Sequence, residues 1–203
     1  MSILAQSTAL DDAALDLLFR DARSVNRFSP ATVDPAEIEA AYDLLKWGPT
    51  AMNISPLRLA VIPGGAARER LVAHVAEHNQ DKTLAAPLTV VAAANPAFHT
   101  RLETLAPHRL GMVDGLEADL DRRKNMARTS ALIQVGYLIL ALRTRGLQVG
   151  PLGGFDAAGV DADLFAESGW NSLLVLNVGW DVAEGGTHPR ADRLHASDAV
   201  VTF

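Results

Sequence analysis

Gly-Leu-Gln-Val-Gly-Pro-Leu-Gly-Gly-Phe-Asp, residues 146–156, follows directly on a long apolar run of helical character that ends at Arg143 and Arg145. Gly146 stands where a helix closes in left-handed geometry, which glycine adopts without a Cβ penalty. Residues 147–149 read as a short extended piece. Pro151 then removes a backbone donor, and Gly153-Gly154 removes two side chains, so main-chain N–H groups there can approach a flat ligand closely. The stretch lacks a P-loop Lys-Ser/Thr pair and a Gly-x-Gly-x-x-Gly, so it meets neither nucleotide fingerprint. Alone it reads as a helix-to-strand turn.

Upstream, residues 126–145 are apolar almost all round in their middle, which predicts a helix buried through the centre of the molecule. Downstream, residues 157–165 read as a short helix and 172–180 as a buried strand. Further back, residues 11–20 carry acids early and Arg20 late, the signature of a first helix. Asp34-Pro35-Ala36-Glu37 predicts a helix start with an N-cap, Pro at the first position and a capping box; Gly48-Pro49 ends that helix. Residues 49–56 are an irregular loop between prolines. Residues 57–62 read as a strand, Pro63-Gly64-Gly65 as its turn, and 66–78 as a helix with Leu71, Val72 and Val75 inward. Residues 79–82 read as a polar link, and the Val-rich run 86–94 as a strand covered on both faces. Residues 96–125 are weakly periodic and suit a loop or short helices over a site. A Gly-rich loop, 183–189, leads to a tail with Arg190 and Arg193. The pattern predicts a mixed sheet covered by helices. A helix as apolar as 126–145 needs more partners than this chain supplies, which predicts a homodimer.

The chain has 203 residues, 49% of them apolar, enough for a sizeable core. A formal charge of −6 speaks against nucleic-acid or anionic-membrane partners. The absence of cysteine excludes disulfides, thiolate metal sites and a Cys nucleophile. Residues 1–10 lack a basic start and an apolar run, so no signal peptide is expected. The longest apolar block, 132–142, is broken by Gln134 and too short to span a bilayer. A cytoplasmic location is expected.

Polar clusters fall at the ends of elements: Arg23-Ser24 with Asn26-Arg27, Thr50 with Asn53, Asn79 with Lys82, and Arg190 with Arg193. Arginine offers a rigid fork of donors matched to phosphate oxygens. One surface arginine is usually solvated charge; pairs from both ends of the chain could clamp one phosphate. His74-Val75-Ala76-Glu77-His78 fits His-x-x-Glu-His, a zinc-hydrolase pattern, but no third ligand stands out downstream. There is no Gly-x-Ser-x-Gly, and no side chain declares itself as nucleophile or base. That suits an enzyme whose cofactor carries the chemistry.

These motifs, in this order, resemble the nitroreductase family of FMN-dependent oxidoreductases, and more closely the short subgroup that includes malonic semialdehyde reductase. The resemblance runs from Leu15 to Leu194. It is carried by Ala-Arg-Ser-Val-Asn-Arg-Phe (22–28), Lys-Trp-Gly-Pro-Thr-Ala-Met-Asn-Ile-Ser-Pro (46–56), Asn-Gln-Asp-Lys-Thr-Leu (79–84) and Gly-Pro-Leu-Gly-Gly-Phe-Asp (150–156). It implies one α+β domain over residues 1–203, with a mixed, mostly antiparallel sheet surrounded by helices. A C-terminal extension starts at about residue 181, and the assembly is an intertwined homodimer with FMN at the interface. It implies that Arg23, Ser24, Arg190 and Arg193 hold the phosphate. Asn26, Asn79 and Lys82 would meet the polar edge of the ring, Asn26 standing where several relatives carry a lysine. Pro151, Leu152, Gly153 and Gly154 would lie along the ring, with the Gly153 N–H toward N5. Pro49, Thr50, Ala51 and Asn53 would come from the other subunit. NADH or NADPH would reduce the flavin in a ping-pong cycle, and a small electrophile (an aldehyde such as malonic semialdehyde, a nitroaromatic or a quinone) would take the hydride. No protein side chain is expected to be catalytic and no metal is expected. The chain departs from the subgroup at Arg128-Thr129-Ser130-Ala131, at Leu152-Gly153-Gly154-Phe155 and over residues 96–125. The rival readings are a flavin-binding or storage module without a dedicated acceptor, a zinc hydrolase on His74, Glu77 and His78, and a flavin-free structural dimer.

Overall fold

A four-stranded sheet forms the centre. Its strands are β1 (Leu57–Ile62), β2 (Leu88–Ala94), β3 (Gln148–Leu152) and β4 (Asn171–Gly179), arranged in the order β1-β2-β4-β3. Every neighbouring pair is antiparallel. The one parallel component among the described residues is a bridge between Ser24 and Val149. The helices are α1 (Asp12–Leu15), α2 (Ala36–Leu45), α3 (Gly65–Ala73), α4 (Glu77–Leu84), α5 (Leu102–Leu105), α6 (Val113–Glu117), α7 (Leu120–Thr144), α8 (Ala157–Leu164) and α9 (Ala196–Ala199), and a π-helical turn, Asp16–Arg20, follows α1. The computed structural model describes residues 9–182 and 184–203. The expectation of no signal peptide falls mainly on residues 1–8, and that of a Gly-rich loop begins at 183; those positions lie outside the described residues.

Strand β2 is buried along its whole length, because side chains alternate between two covered faces. Val90 points into a core with Ile38 and Leu45 of α2 and Leu138 and Leu142 of α7. Val91 points into a second core with Leu71 of α3, Val160 of α8 and Phe165. The Val-rich run therefore is the covered strand that its composition predicts.

Several local expectations are corrected. Residues 66–78 are not one helix: α3 stops at Ala73, Val75 bridges Phe155, and α4 begins at Glu77. The supposed polar link 79–82 lies inside α4. The capping box at α2 is half formed. Asp34 Oδ1 accepts the Ala36 N–H at 2.9 Å, but the Glu37 carboxylate turns to Arg145. The long helix begins six residues earlier than its apolar pattern, at Leu120, where Asp119 caps it by accepting the Arg122 N–H at 2.9 Å. It is not buried all round either: Leu132, Ile133 and Tyr137 are exposed on one side. Residues 98–117 form the short helices expected over 96–125.

Two buried polar devices fix the periphery. Arg68, 8% exposed, donates to five backbone carbonyls, those of Ile62, Pro63, Leu84, Ala86 and Pro87. It thereby ties the end of β1 to the end of α4 and the approach to β2. His99, buried after β2, bonds Glu117 at the end of α6 and lies 3.3 Å from Arg123 Nη1 on α7. The Glu117 carboxyl is held below its ordinary value by the His99 hydrogen bond, then by the Arg123 charge.

Arg68→Met should lower unfolding free energy in urea by roughly 2–3 kcal/mol, since buried carbonyls lose their donors. Arg70→Ala, which breaks the more exposed pair with Asp163, should cost far less. The depressed Glu117 value means that its stabilisation is complete above the ordinary carboxylate value of 4.5 and is lost as pH falls through the folded value. Glu117→Gln should therefore flatten the acid limb of a stability–pH curve; an unchanged limb would remove this group from acid unfolding.

Candidate functional site

Residues 24–29 thread between edge strand β3 and the turn that follows β4. The Val25 N–H donates to the Val149 carbonyl at 3.1 Å, those of Asn26 and Arg27 to the Gly186 carbonyl at 2.8 and 3.4 Å, and that of Ser29 to the Trp180 carbonyl at 3.0 Å. A Cβ at Gly150 would sit 2.2 Å from the Val25 carbonyl oxygen, so this crossing needs glycine. Pro151 belongs to β3 rather than to a loop, and its place on an edge strand is one that proline tolerates. Gly146 ends α7 with φ of 78°, as expected.

The crossing brings both ends of the chain to one place. Arg23 donates to the His188 carbonyl, and Arg190 reaches back to the Ala22 carbonyl at 3.5 Å. Between them lies a cleft of about 620 Å³, lined by Arg23, Ser24, Asn26, Lys82, Pro151, Arg190 and Arg193 among others. Helix α4 is set against the sheet by a buried polar chain. Thr83 Oγ1 donates to the Asn79 carbonyl at 2.9 Å, Asn177 Nδ2 donates to Thr83 Oγ1 at 3.2 Å, and Thr89 Oγ1 donates to Asn177 Oδ1 at 3.2 Å. That places Lys82 Nζ 3.3 Å from Asn26 Oδ1.

The cleft is cationic. Arg23, Lys82, Arg143, Arg190 and Arg193 line it and no carboxylate of the described residues does, in a chain whose formal charge is −6. The sequence marks Arg143 only as part of a helix end. In the fold it is 4% exposed; its Nε donates to the Leu17 carbonyl at 2.8 Å and its Nη1 to Gln148 Oε1 at 3.1 Å. Burial pushes its pKa down, partly offset by the charges of Asp21 and Asp181. A signal for it existed: Arg143 falls four residues after Ile139 and eight after Val135, on the inward stripe of α7. His188 and Pro189 are further lining residues that the sequence did not single out.

The other expected residues stand apart from this cleft's lining. Leu152 turns its side chain into the second core, as alternation after Pro151 requires. Gly153 and Gly154 follow the end of β3. A Cβ at Gly153 would meet only Leu174 Cδ2, at 4.0 Å, whereas one at Gly154 would meet Asn79 Nδ2 at 3.1 Å. Asn79 itself is buried. Pro49, Thr50, Ala51 and Asn53 lie on a separate loop. There Thr50 Oγ1 accepts the Ser55 N–H at 3.2 Å, Ser130 Oγ accepts the Ala51 N–H at 3.4 Å, and Asn53 Nδ2 donates to the Leu105 carbonyl at 2.8 Å. Met52, Asn53 and Ser55 hold positive φ of 53°, 58° and 41°. The zinc pattern is not assembled: His74 and His78 lie on different helices or their ends, and His74 Nε2 sits 3.4 Å from Asp163. Among the described residues no group of three possible ligands could hold a metal. No described helix is long and apolar enough to cross a membrane.

Comparison with known proteins gives a consistent result. The model of the nitroreductase family matches residues 19–180. A Streptomyces griseus protein named "Putative NADH dehydrogenase/NAD(P)H nitroreductase" is 40% identical over 97% of this chain and 99% of its own length. A Streptomyces coelicolor protein of the same description is 42% identical over 97% of this chain and 98% of its own. Among solved structures, a protein of Exiguobacterium sibiricum crystallised in complex with FMN superposes with a TM-score of 0.79 at 17% identity, covering 97% of this chain and 99% of that one.

Gly150→Ala should lower stability by about 1–3 kcal/mol, because the added methyl meets main chain that cannot turn aside. Hydrogen exchange at the Val25 amide should accelerate with it. Gly153→Ala, whose methyl would make only an ordinary contact with Leu174, should change stability by less than about 0.5 kcal/mol. Equal effects of the two would place the crossing elsewhere.

Proposed function

Because this chain belongs to the nitroreductase family, we propose that it is an FMN-dependent NAD(P)H oxidoreductase that reduces a small electrophile. The observation that carries this reading is the cleft in which arginines from both ends of the chain meet Lys82 and Asn26. Its volume lies in the ordinary range for cofactor sites, roughly 300–1,000 Å³. Its charge is of the sign that a phosphate needs, without a lining carboxylate among the described residues to repel it.

Arg23, Ser24, Arg190 and Arg193 hold the phosphate in this reading. Asn26 and Lys82 face the polar edge of the ring, with Asn79 buried next to Gly154 at that edge. The main chain of Pro151, Leu152, Gly153 and Gly154 runs along it, with the Gly153 N–H assigned to N5. When bound, FMN supplies two-electron hydride exchange at N5, taken from NADH or NADPH and passed on to the acceptor in a ping-pong cycle. Lys82, next to Asn26, offers a preorganised cation where negative charge gathers on reduction. The acceptor class that suits such a site is an aldehyde such as malonic semialdehyde, a nitroaromatic or a quinone.

The working unit is an intertwined homodimer in the same reading. Leu132, Ile133 and Tyr137 on α7 expose apolar surface, as does Trp47, which is 82% exposed. The tail ends in exposed Val200, Val201 and Phe203, a suitable arm for a second chain. Pro49, Thr50, Ala51 and Asn53 then complete the site of the partner subunit.

The purified protein should be yellow, and anaerobic NADH or NADPH should bleach its visible absorption. A yellow protein bleached by neither would be a flavin-binding module instead, and one that takes up no added FMN would reject the flavin reading altogether. Arg23→Ala should weaken FMN binding by about 1.5–3 kcal/mol, the range for a charge-assisted contact. Ile133→Asp should yield monomer in sedimentation, with loss of bound flavin if the loop from the partner completes the site.

A further inference from the structure

Resting on the flavin reading of the cleft, we infer that Arg143, beside the more exposed arginines, is a further residue by which the cleft distinguishes the phosphorylated cofactor from its unphosphorylated form. Four of the cleft cations are partly or wholly exposed. Arg23, Arg190 and Arg193 direct donors to nearby carbonyls, those of His188, Ala22, Ala191 and Asp192. Water screens their charge whether or not an anion is present. Arg143 differs: it is 4% exposed, yet lines the same cleft.

Its hydrogen bonds go only to neutral acceptors, the Leu17 carbonyl and Gln148 Oε1, and its Nη2 takes no acceptor among the described residues. No carboxylate pairs with it among those residues; Asp21 and Asp181 act only at longer range. A buried cation without a counter-charge is costly, and an anion entering the cleft relieves that cost. The low dielectric that makes the lone charge unfavourable also strengthens its attraction for a phosphate. Leu17, in the π-helical turn, and Gln148, in β3, hold the guanidinium at Nε and Nη1, so its orientation is fixed. Arg143 thus contributes more to phosphate affinity than Arg193, although Arg193 is the more accessible.

The test is titration of flavin-stripped protein with FMN and with riboflavin, followed by quenching of flavin fluorescence, in wild type, Arg143→Met, Arg143→Lys and Arg193→Ala. Arg143→Met should weaken FMN by roughly 10- to 100-fold while riboflavin changes by less than about threefold. Arg143→Lys, which keeps the charge but loses the fork, should lose less FMN affinity than Arg143→Met. Arg193→Ala should also lose less. If FMN and riboflavin weaken together in either Arg143 variant, Arg143 is only a brace between Leu17 and Gln148, and the inference falls. An unchanged FMN-to-riboflavin ratio overturns it as well, while wild-type preference for FMN leaves the flavin reading standing. Should Arg143→Met not fold, the same ratio measured in Arg143→Lys decides the matter. Wild-type protein that binds neither flavin overturns the cleft reading and this inference together.

Discussion

Val25 and Gly150 meet main chain to main chain, and most of the site follows from that contact. The Ser24–Val149 bridge and the 3.1 Å hydrogen bond from Val25 attach a segment from the start of the chain to the edge of the sheet. The Gly186 carbonyl then takes the next two N–H groups, so the segment is held from both sides. Only with it in place do Arg23 and Ser24 face Arg190 and Arg193 across the cleft. An edge strand that would otherwise present unpaired backbone is covered at the same time.

The molecule uses buried arginine in two opposite ways. Arg68 is surrounded by carbonyl oxygens of three converging segments and acts as a knot of neutral hydrogen bonds. Arg143 has two such bonds and lines the cleft. The first holds structure together through its two terminal nitrogens, while its buried Nε takes no acceptor among the described residues. The second leaves electrostatic demand unmet, which is the condition under which a charged ligand is attracted rather than tolerated. Between them, the Asn79–Thr83–Asn177–Thr89 chain sets α4 by polar contacts inside an apolar interior, where directionality fixes register better than packing alone.

Much of this is legible in the residues themselves. Strand β2 announces itself by a nearly continuous apolar run, since burial on both faces leaves a plain chemical mark, and the long helix by the apolar composition of its middle. The arginine pairs are visible as a set. Three things are not. The break between α3 and α4 depends on Val75 bridging Phe155, a contact eighty residues away that no local periodicity encodes. Pro151 reads as loop because proline usually ends strands, yet on an edge its missing donor is not needed. Close approach of main chain is expected at 153–154, where the sequence doubles its glycine. The tight contact is at Gly150, and only the crossing chain reveals it.

The loop around Met52, Asn53 and Ser55 keeps three non-glycine residues at positive φ. Such geometry persists only where neighbours over-determine it, and here Ser130, Leu105 and Gln134 reach in to hold the segment. A loop of this kind is ordered as the chain folds, so the entropy of fixing it is already lost before a ligand arrives. Its contribution to any complex is therefore preorganisation: rigid presentation with little further ordering, and affinity limited by contact chemistry instead of by the search for a shape.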